Sequence, residues 1–153
     1  MFKGFIHFQF LFVFGISLGI FAEDSQPMGE AYQAYKAIQT IIYQNPEDLN
    51  DQAKQDLLKV PVETLAQYGA VSEPVAIAMA KGLLTQGRCQ ISASVTGIAG
   101  PSGGSAEKPV GTVCFAWVHQ DGRVVSTTQH FSGNRQQVRE QSVRALVEGI
   151  LQL

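Results

Sequence analysis

Hydrophobic and polar positions change period several times along the chain, and each change marks an element. From Met28 to Tyr43 the spacing of Met28, Tyr32, Tyr35, Ile38 and Ile42 has the three-to-four rhythm of an amphipathic helix, which Asn45-Pro46 ends. A second helix follows the polar excursion through Asp51 and stops at Val60-Pro61, and a short third one, Val62 to Tyr68, is stopped by Gly69. Ser72-Glu73-Pro74 then has the form of a helix start: a capping hydroxyl, an acid that suits the helix dipole, and a first-turn proline. That helix runs to about Leu84, with Val75, Met79 and Leu83 as its apolar stripe and Ala76 and Ala80 permitting close packing on a sheet. At Ile91 the period drops to two: Ile91, Ala93 and Val95 alternate with Ser92 and Ser94, a strand with distinct faces.

Val110 to Val118 is almost wholly apolar, which predicts a central strand with Phe115 and Trp117 in the core. Asp121-Gly122 marks a tight hairpin into Arg123–Phe131, whose mixed polarity places it nearer an edge. Ser132-Gly133-Asn134-Arg135 opens the last helix, and Val138, Ala145, Leu146, Gly149, Ile150 and Leu153 define its apolar face. Helices alternating with strands predict an α/β fold of three layers: a mixed, mostly parallel sheet flanked by helices, with one late antiparallel hairpin.

The opening segment supports two readings. Lys3, an apolar run from Phe8 to Phe21, and Ala22 before the acidic Glu23-Asp24 are the parts of a signal peptide. Phenylalanine, valine and isoleucine also suit a strand buried on both faces, which makes Phe8–Ala22 equally the first strand of the sheet. The run is too short and too interrupted by Gly15 and Gly19 for a membrane helix. Residues 1–22 are therefore set apart from a domain at 23–153.

Composition narrows the classes. A chain of 153 residues with 45% hydrophobic positions suits one globular unit with a core. A formal net charge of -2 with scattered basic residues carries no nucleic-acid footprint. Cys89 and Cys114 lack Cys-x-x-Cys spacing and read as reduced core thiols. His7, His119 and His130 show no helical pairing and no metal-ligand spacing, so neither a metal nor an organic cofactor is expected.

Candidate chemistry gathers behind the Ile91–Val95 strand, in Thr96 to Gly104, which reads T-G-I-A-G-P-S-G-G. Glycine at this density lets the backbone take positive φ and approach a ligand closely, and the loop would sit at the carboxyl end of a strand, where ligands collect in open α/β sheets. A long turn joining two strands has the same glycine content.

The run from Ser94 to Trp117, S-V-T-G-I-A-G-P-S-G-G-S-A-E-K-P-V-G-T-V-C-F-A-W, closely resembles the signature of the CinA C-terminal domain, the family of nicotinamide-nucleotide amidohydrolases. Glu63 to Val75 and Phe131 to Arg139 form two further matching blocks, and the resemblance spans roughly Gln52 to Leu153. It implies hydrolysis of the carboxamide of nicotinamide mononucleotide, in the cytoplasm unless residues 1–22 direct export. A homo-oligomer is expected. Family members carry a serine in Thr-Ala-Glu-Ser-Cys-Thr-Gly-Gly, whose nearest counterpart is A-E-D-S-Q-P-M-G at Ala22–Gly29, so the resemblance points to Ser25 as nucleophile. The spacing around that serine departs from the family pattern, which fits equally a catalytically degenerate relative that only binds a nucleotide or serves as a structural domain.

The family's Tyr-Ser-Asn-Glu-Ala-Lys corresponds, with an insertion, to Tyr43-Gln44-Asn45 and Gln52-Ala53-Lys54. Lys54 and Tyr43 would then manage protons for the serine. The loop, through Thr96, Gly97, Ala99, Gly100, Pro101, Gly103 and Gly104, would hold the nucleotide. Arg135, in Gly-Asn-Arg where the family has Gly-Asp-Arg, would clamp its phosphate.

Overall fold

The structure, a computed structural model, describes residues 10–16, 51–86 and 90–152. Strand β1 (Phe10–Ile16) lies within the segment that reads either as a signal or as a buried strand. Three helices follow, α1 (Asp51–Leu58), α2 (Val62–Tyr68) and α3 (Glu73–Gln86). Strands β2 (Ile91–Gly97), β3 (Thr112–His119) and β4 (Val124–His130) lead into the closing helix α4 (Arg135–Leu151). The expected Met28–Tyr43 helix lies outside the described residues.

The punctuation read from the sequence works locally. Gly69, with φ 73°, turns the chain out of α2 and returns its N–H to Leu65 O. Ser72 Oγ accepts the Val75 N–H at 3.4 Å and caps α3. Asn134 and Gln137 form a reciprocal capping box at the start of α4, each side chain accepting the other's backbone N–H.

The described strands form one four-stranded sheet in the order β1-β2-β3-β4. Every pairing is antiparallel, with Thr96 opposite Leu11 and Cys114, and Cys114 opposite Thr128. The α/β character with helices on the sheet is as expected; the mostly parallel sheet is not. The alternation of helices with strands and the almost wholly apolar run through Val118 suit a parallel sheet, but an antiparallel sheet with helices on both faces buries its inner strands just as completely. β3 also starts at Thr112 rather than Val110, because Val110 and Gly111 still belong to the loop, where Gly111 has φ 96° and lies directly against Phe131 O.

Each face of the sheet has its own core. Ala93, Val95, Val113, Phe115 and Trp117 pack against Val138, Val143 and Leu146 of α4. Phe115 stacks on Trp117 at 5.7 Å between ring centroids and meets Phe131 edge-on at 6.2 Å, while Trp117 Nε1 donates to Leu146 O at 2.9 Å. On the opposite face Cys114, Ala116 and Val118 pack against Ala76 and Ala80 of α3. The polar half of the β2 alternation is buried there too. Ser92 Oγ donates to Ala80 O at 2.7 Å, Ser94 Oγ to Ala76 O at 2.6 Å, and Thr96 Oγ1 to Ala70 O at 2.8 Å. Small alanines on the helix let the strand come close enough for a hydroxyl to reach a helix carbonyl. Outside α3, Leu58 and Val60 pack on Val75 and Met79, so α1 forms an outer layer on that side.

Candidate functional site

β2 runs straight into the glycine-rich loop. Ile98 N donates to Thr112 O and Gly111 N returns to Ile98 O, so the loop leaves and rejoins the sheet at one point. Ala99 and Gly100 stay buried, the Gly100–Pro101 peptide is cis, and Pro101, Ser102 and Gly104 emerge at the surface. Part of the glycine content serves packing: a Cβ on Gly100 or Gly104 would run into Val110, and one on Gly97 into Thr112 O and Val113. Gly103 is different. Its φ of 94° demands glycine, yet a Cβ there would meet only Ile98 Cγ2 at 3.6 Å, so the backbone bends in open space.

Backbone amides along the bend are uncommitted. Among the described residues, the N–H groups of Ala99, Gly100, Ser102, Gly103 and Gly104 donate no hydrogen bond. Buried amides normally find partners, and successive N–H groups in a glycine bend form a concave site for an anion. The loop's base is closed by its own atoms. Ser105 N donates to Lys108 O, Lys108 N to Ser105 Oγ, and Ser105 Oγ to Glu107 Oε2. Its own backbone amide and Ser105 hold the Glu107 carboxyl below the usual range.

Thr96 and Arg135 take up positions that glycine counting does not reveal. The Thr96 side chain is fully buried and its hydroxyl donates to Ala70 O. Arg135, in the first turn of α4, is half-buried and donates from Nη1 to Gly100 O at 3.1 Å. Burial, and secondarily the Arg139 charge, push the Arg135 guanidinium below its ordinary pKa. A guanidinium keeps its proton under such a shift, so a cation stands against the underside of the loop.

Lys54 sits in α1, entirely buried, with Nζ 2.7 Å from Asp51 Oδ1. A lysine without exposure is uncommon, and the one-turn spacing to Asp51 supplies the carboxylate that burial requires. Ser25 and Tyr43 lie outside the described residues. Of the expected catalytic group the described residues therefore hold Lys54, and of the binding group they hold the loop and Arg135 together.

Two contributors went unread in the sequence. Lys108 Nζ donates to Tyr68 O at 3.0 Å and Val71 O at 2.7 Å. Glu73, read as a helix-start acid, also accepts from Ser126 Oγ at 2.6 Å and Thr128 Oγ1 at 2.8 Å, tying α3 to the edge strand. The charged pair Glu107-Lys108 inside an otherwise uncharged loop was the available signal for the first. Nothing local signals the second, whose partners are more than fifty residues away.

The remaining chemistry is quiet. Cys114 is a buried free thiol whose pKa burial raises, and Cys89 lies outside the described residues. Among the described residues no group of three or more His, Cys, Asp or Glu could hold a metal, and no helix is long and apolar enough to cross a membrane. A groove of about 310 Å³ lies between β4 and α4, lined by Trp117, Val125, Thr127 and Glu148, and does not include the loop.

Residues 47–153 match the family model described as the CinA C-terminal domain. The chain is 53% identical over 92 residues to a CinA-like protein of Mycobacterium sp. (strain JLS), covering 60% of this chain and 22% of that protein. It is 56% identical over 90 residues to the nicotinamide-nucleotide amidohydrolase PncC of Enterobacter agglomerans, covering 59% of this chain and 55% of that one. A solved structure of a competence-damaged protein (CinA) superfamily protein from Escherichia coli superposes with a TM-score of 0.66 at 33% identity, over 81% of this chain and 73% of that chain. The chain thus spans 22% and 55% of the lengths of these two curated relatives.

Proposed function

The chain belongs to the CinA C-terminal domain family, and from that premise we propose that it hydrolyses the carboxamide of nicotinamide mononucleotide to give nicotinate mononucleotide and ammonia. The observation that carries the reading is the row of uncommitted amides from Ala99 to Gly104 with Arg135 beneath it. Neutral N–H donors and a cation behind them suit the phosphate of a mononucleotide. The relative named for this activity supports the choice of substrate.

In the proposed reaction the Ser25 hydroxyl oxygen attacks the carboxamide carbon while Lys54, as the neutral amine, receives the hydroxyl proton. Backbone N–H groups hold the oxyanion of the tetrahedral intermediate. The carbon–nitrogen bond then breaks, and the nitrogen takes the proton back from Lys54 and leaves as ammonia. Water attacks the acyl-serine ester, Lys54 repeats its exchange, and the acid mononucleotide departs with the serine restored. Tyr43 would steady the oxyanion or relay a proton. Burial of Lys54 supports its part, because packing holds the side chain in one place instead of leaving it to swing in solvent. A homo-oligomeric, cytoplasmic protein belongs to the same proposal.

Ammonia release on nicotinamide mononucleotide tests it. Wild-type protein is expected to turn over, and Lys54→Ala to lose about 10²–10⁴ in rate, the usual contribution of a positioned proton-transfer group. The divergent A-E-D-S-Q-P-M-G segment favours one other reading, a relative that binds the nucleotide without hydrolysing it. Binding with no release above the Lys54→Ala control selects that reading and rejects catalysis.

A further inference from the structure

The turn between α2 and α3, Tyr68 to Ser72, has three of its carbonyls taken by side chains from elsewhere. Lys108 Nζ reaches Tyr68 O and Val71 O, and Thr96 Oγ1 reaches the intervening Ala70 O. Gly69 O accepts from Ser72 Oγ at 2.8 Å. Thr96 is the last polar side chain before the glycine bend and Lys108 the first cation after it. One turn therefore grips the loop at both of its ends.

The two grips differ in kind. Thr96 lies in β2, whose register with β1 and β3 already fixes it. Lys108 lies outside any strand, and its backbone meets only Ser105 at the loop's base. Its ammonium ties the returning half of the loop to the helical layer by hydrogen bonds, beside the packing of Val110 against the cluster of Val71, Ala76 and Ala80. Among the described residues no carboxylate lies within ion-pair distance of Lys108. Its charge is balanced by carbonyl dipoles instead, and two of its three donors converge on one turn. Such an arrangement sets geometry, because an ammonium bridging two carbonyls holds both at hydrogen-bond distance.

We propose that Lys108 is a positioning residue: by clamping Tyr68 O and Val71 O it holds the returning half of the loop so that the Ala99–Gly104 amides converge on the substrate's phosphate. This rests on the reading of the loop as the phosphate site. Arg135 braces the loop from the α4 side at Gly100 O, and Lys108 does so from the α3 side. Lys108 touches no reacting atom, so its loss raises KM more than it lowers kcat.

The experiment compares wild type, Lys108→Met and Lys108→Arg for nicotinamide mononucleotide binding, for kcat and KM, and for amide hydrogen exchange across residues 99–111. Lys108→Met is expected to weaken binding and raise KM about tenfold, below the hundredfold that an ångström of misplacement can cost. In it kcat stays within about threefold, exchange rises in the loop alone, and Lys108→Arg recovers most of the binding. Wild-type binding and exchange in Lys108→Met overturn the proposal. Should wild type bind no mononucleotide, the phosphate reading fails and exchange decides the clamp: faster exchange confined to the loop upholds it, and unchanged exchange removes it. Should Lys108→Met not fold, Lys108→Gln, which keeps a donor but cannot bridge both carbonyls, is expected to raise KM in the same direction, and a Lys108→Gln protein with wild-type KM and exchange overturns the proposal.

Discussion

The sheet's two faces are held by different physics. Toward α4 the contact is aromatic and aliphatic, with Phe115 stacked on Trp117 and both closed over by Val138, Val143 and Leu146. Toward α3 the small side chains Cys114, Ala116 and Val118 of β3 pack on Ala76 and Ala80, and β2 adds serine and threonine hydroxyls, each aimed at a carbonyl of α3 or of the turn before it. Apolar packing is strong and tolerant of direction, whereas a hydroxyl on a carbonyl is weaker but fixes register. The face built for register is the one whose hydrogen bonds run on to the loop, through Thr96 and Lys108. The face built for bulk stability reaches the loop through Ala99, which joins its apolar cluster, and through Arg135, which donates to Gly100 O. The difference suggests that the loop's geometry is set from the α3 side and its survival from the α4 side.

The sharpest way to break that division is to damage each face in turn. Phe115→Ala removes a fully buried ring from the α4 face and is expected to destabilise the protein by about 3–5 kcal/mol, read from a denaturant midpoint at constant slope. KM of the folded fraction should hardly move. A large KM change with a small loss of stability would contradict the division.

Ser94→Ala tests the other face. Its hydroxyl bond to Ala76 O is buried, but that carbonyl lies within α3 and retains its place in the helix ladder. The expected cost is therefore about 1 kcal/mol, near the net value of one hydrogen bond rather than that of an orphaned group. A shift of α3 against β2 should accompany it, seen as faster amide exchange at the 68–72 turn. If Ser94→Ala costs as much as Phe115→Ala, the hydroxyl row is a main source of stability and not a register device.

How far the sequence revealed this arrangement depends on whether partners were local. Gly69, Ser72 and Asn134 act within a few residues of themselves, and the helix boundaries they set were legible. The hairpin at Asp121-Gly122 and the edge position of β4 were legible for the same reason. Strand direction was not, since antiparallel pairing of doubly covered strands leaves the same apolar pattern as parallel pairing. The Ser92, Ser94, Thr96 row read as an alternating polar face, because alternation cannot distinguish water from a helix carbonyl as the hydroxyl's partner. At the candidate site the loop and Arg135 were legible by resemblance and do come together. Lys108 was missed because its partners lie nearly forty residues upstream.

The hairpin between β3 and β4 supplies a region that belongs to neither face, and it gives the smallest expected effect. Asp121 accepts from Arg123 N and Nε and lies 2.9 Å from His119 Nδ1, which holds its carboxyl down from 3.8 to about 2. A depressed carboxyl stabilises the folded state only while it is ionised. The unfolded chain takes up the proton first, so this contribution is present above about pH 4 and is lost as pH falls through the folded value of about 2. Asp121 is exposed and its partners are solvated, so salt should weaken the effect. Comparing unfolding midpoints at neutral pH and near pH 2.5, Asp121→Asn should flatten a small part of the acid loss without changing exchange in the loop. Faster exchange at the hydrogen-bonded amides of Ser105, Lys108 and Gly111 in Asp121→Asn would mean that the hairpin helps set the loop, and the α3 face would then share that role with an exposed turn.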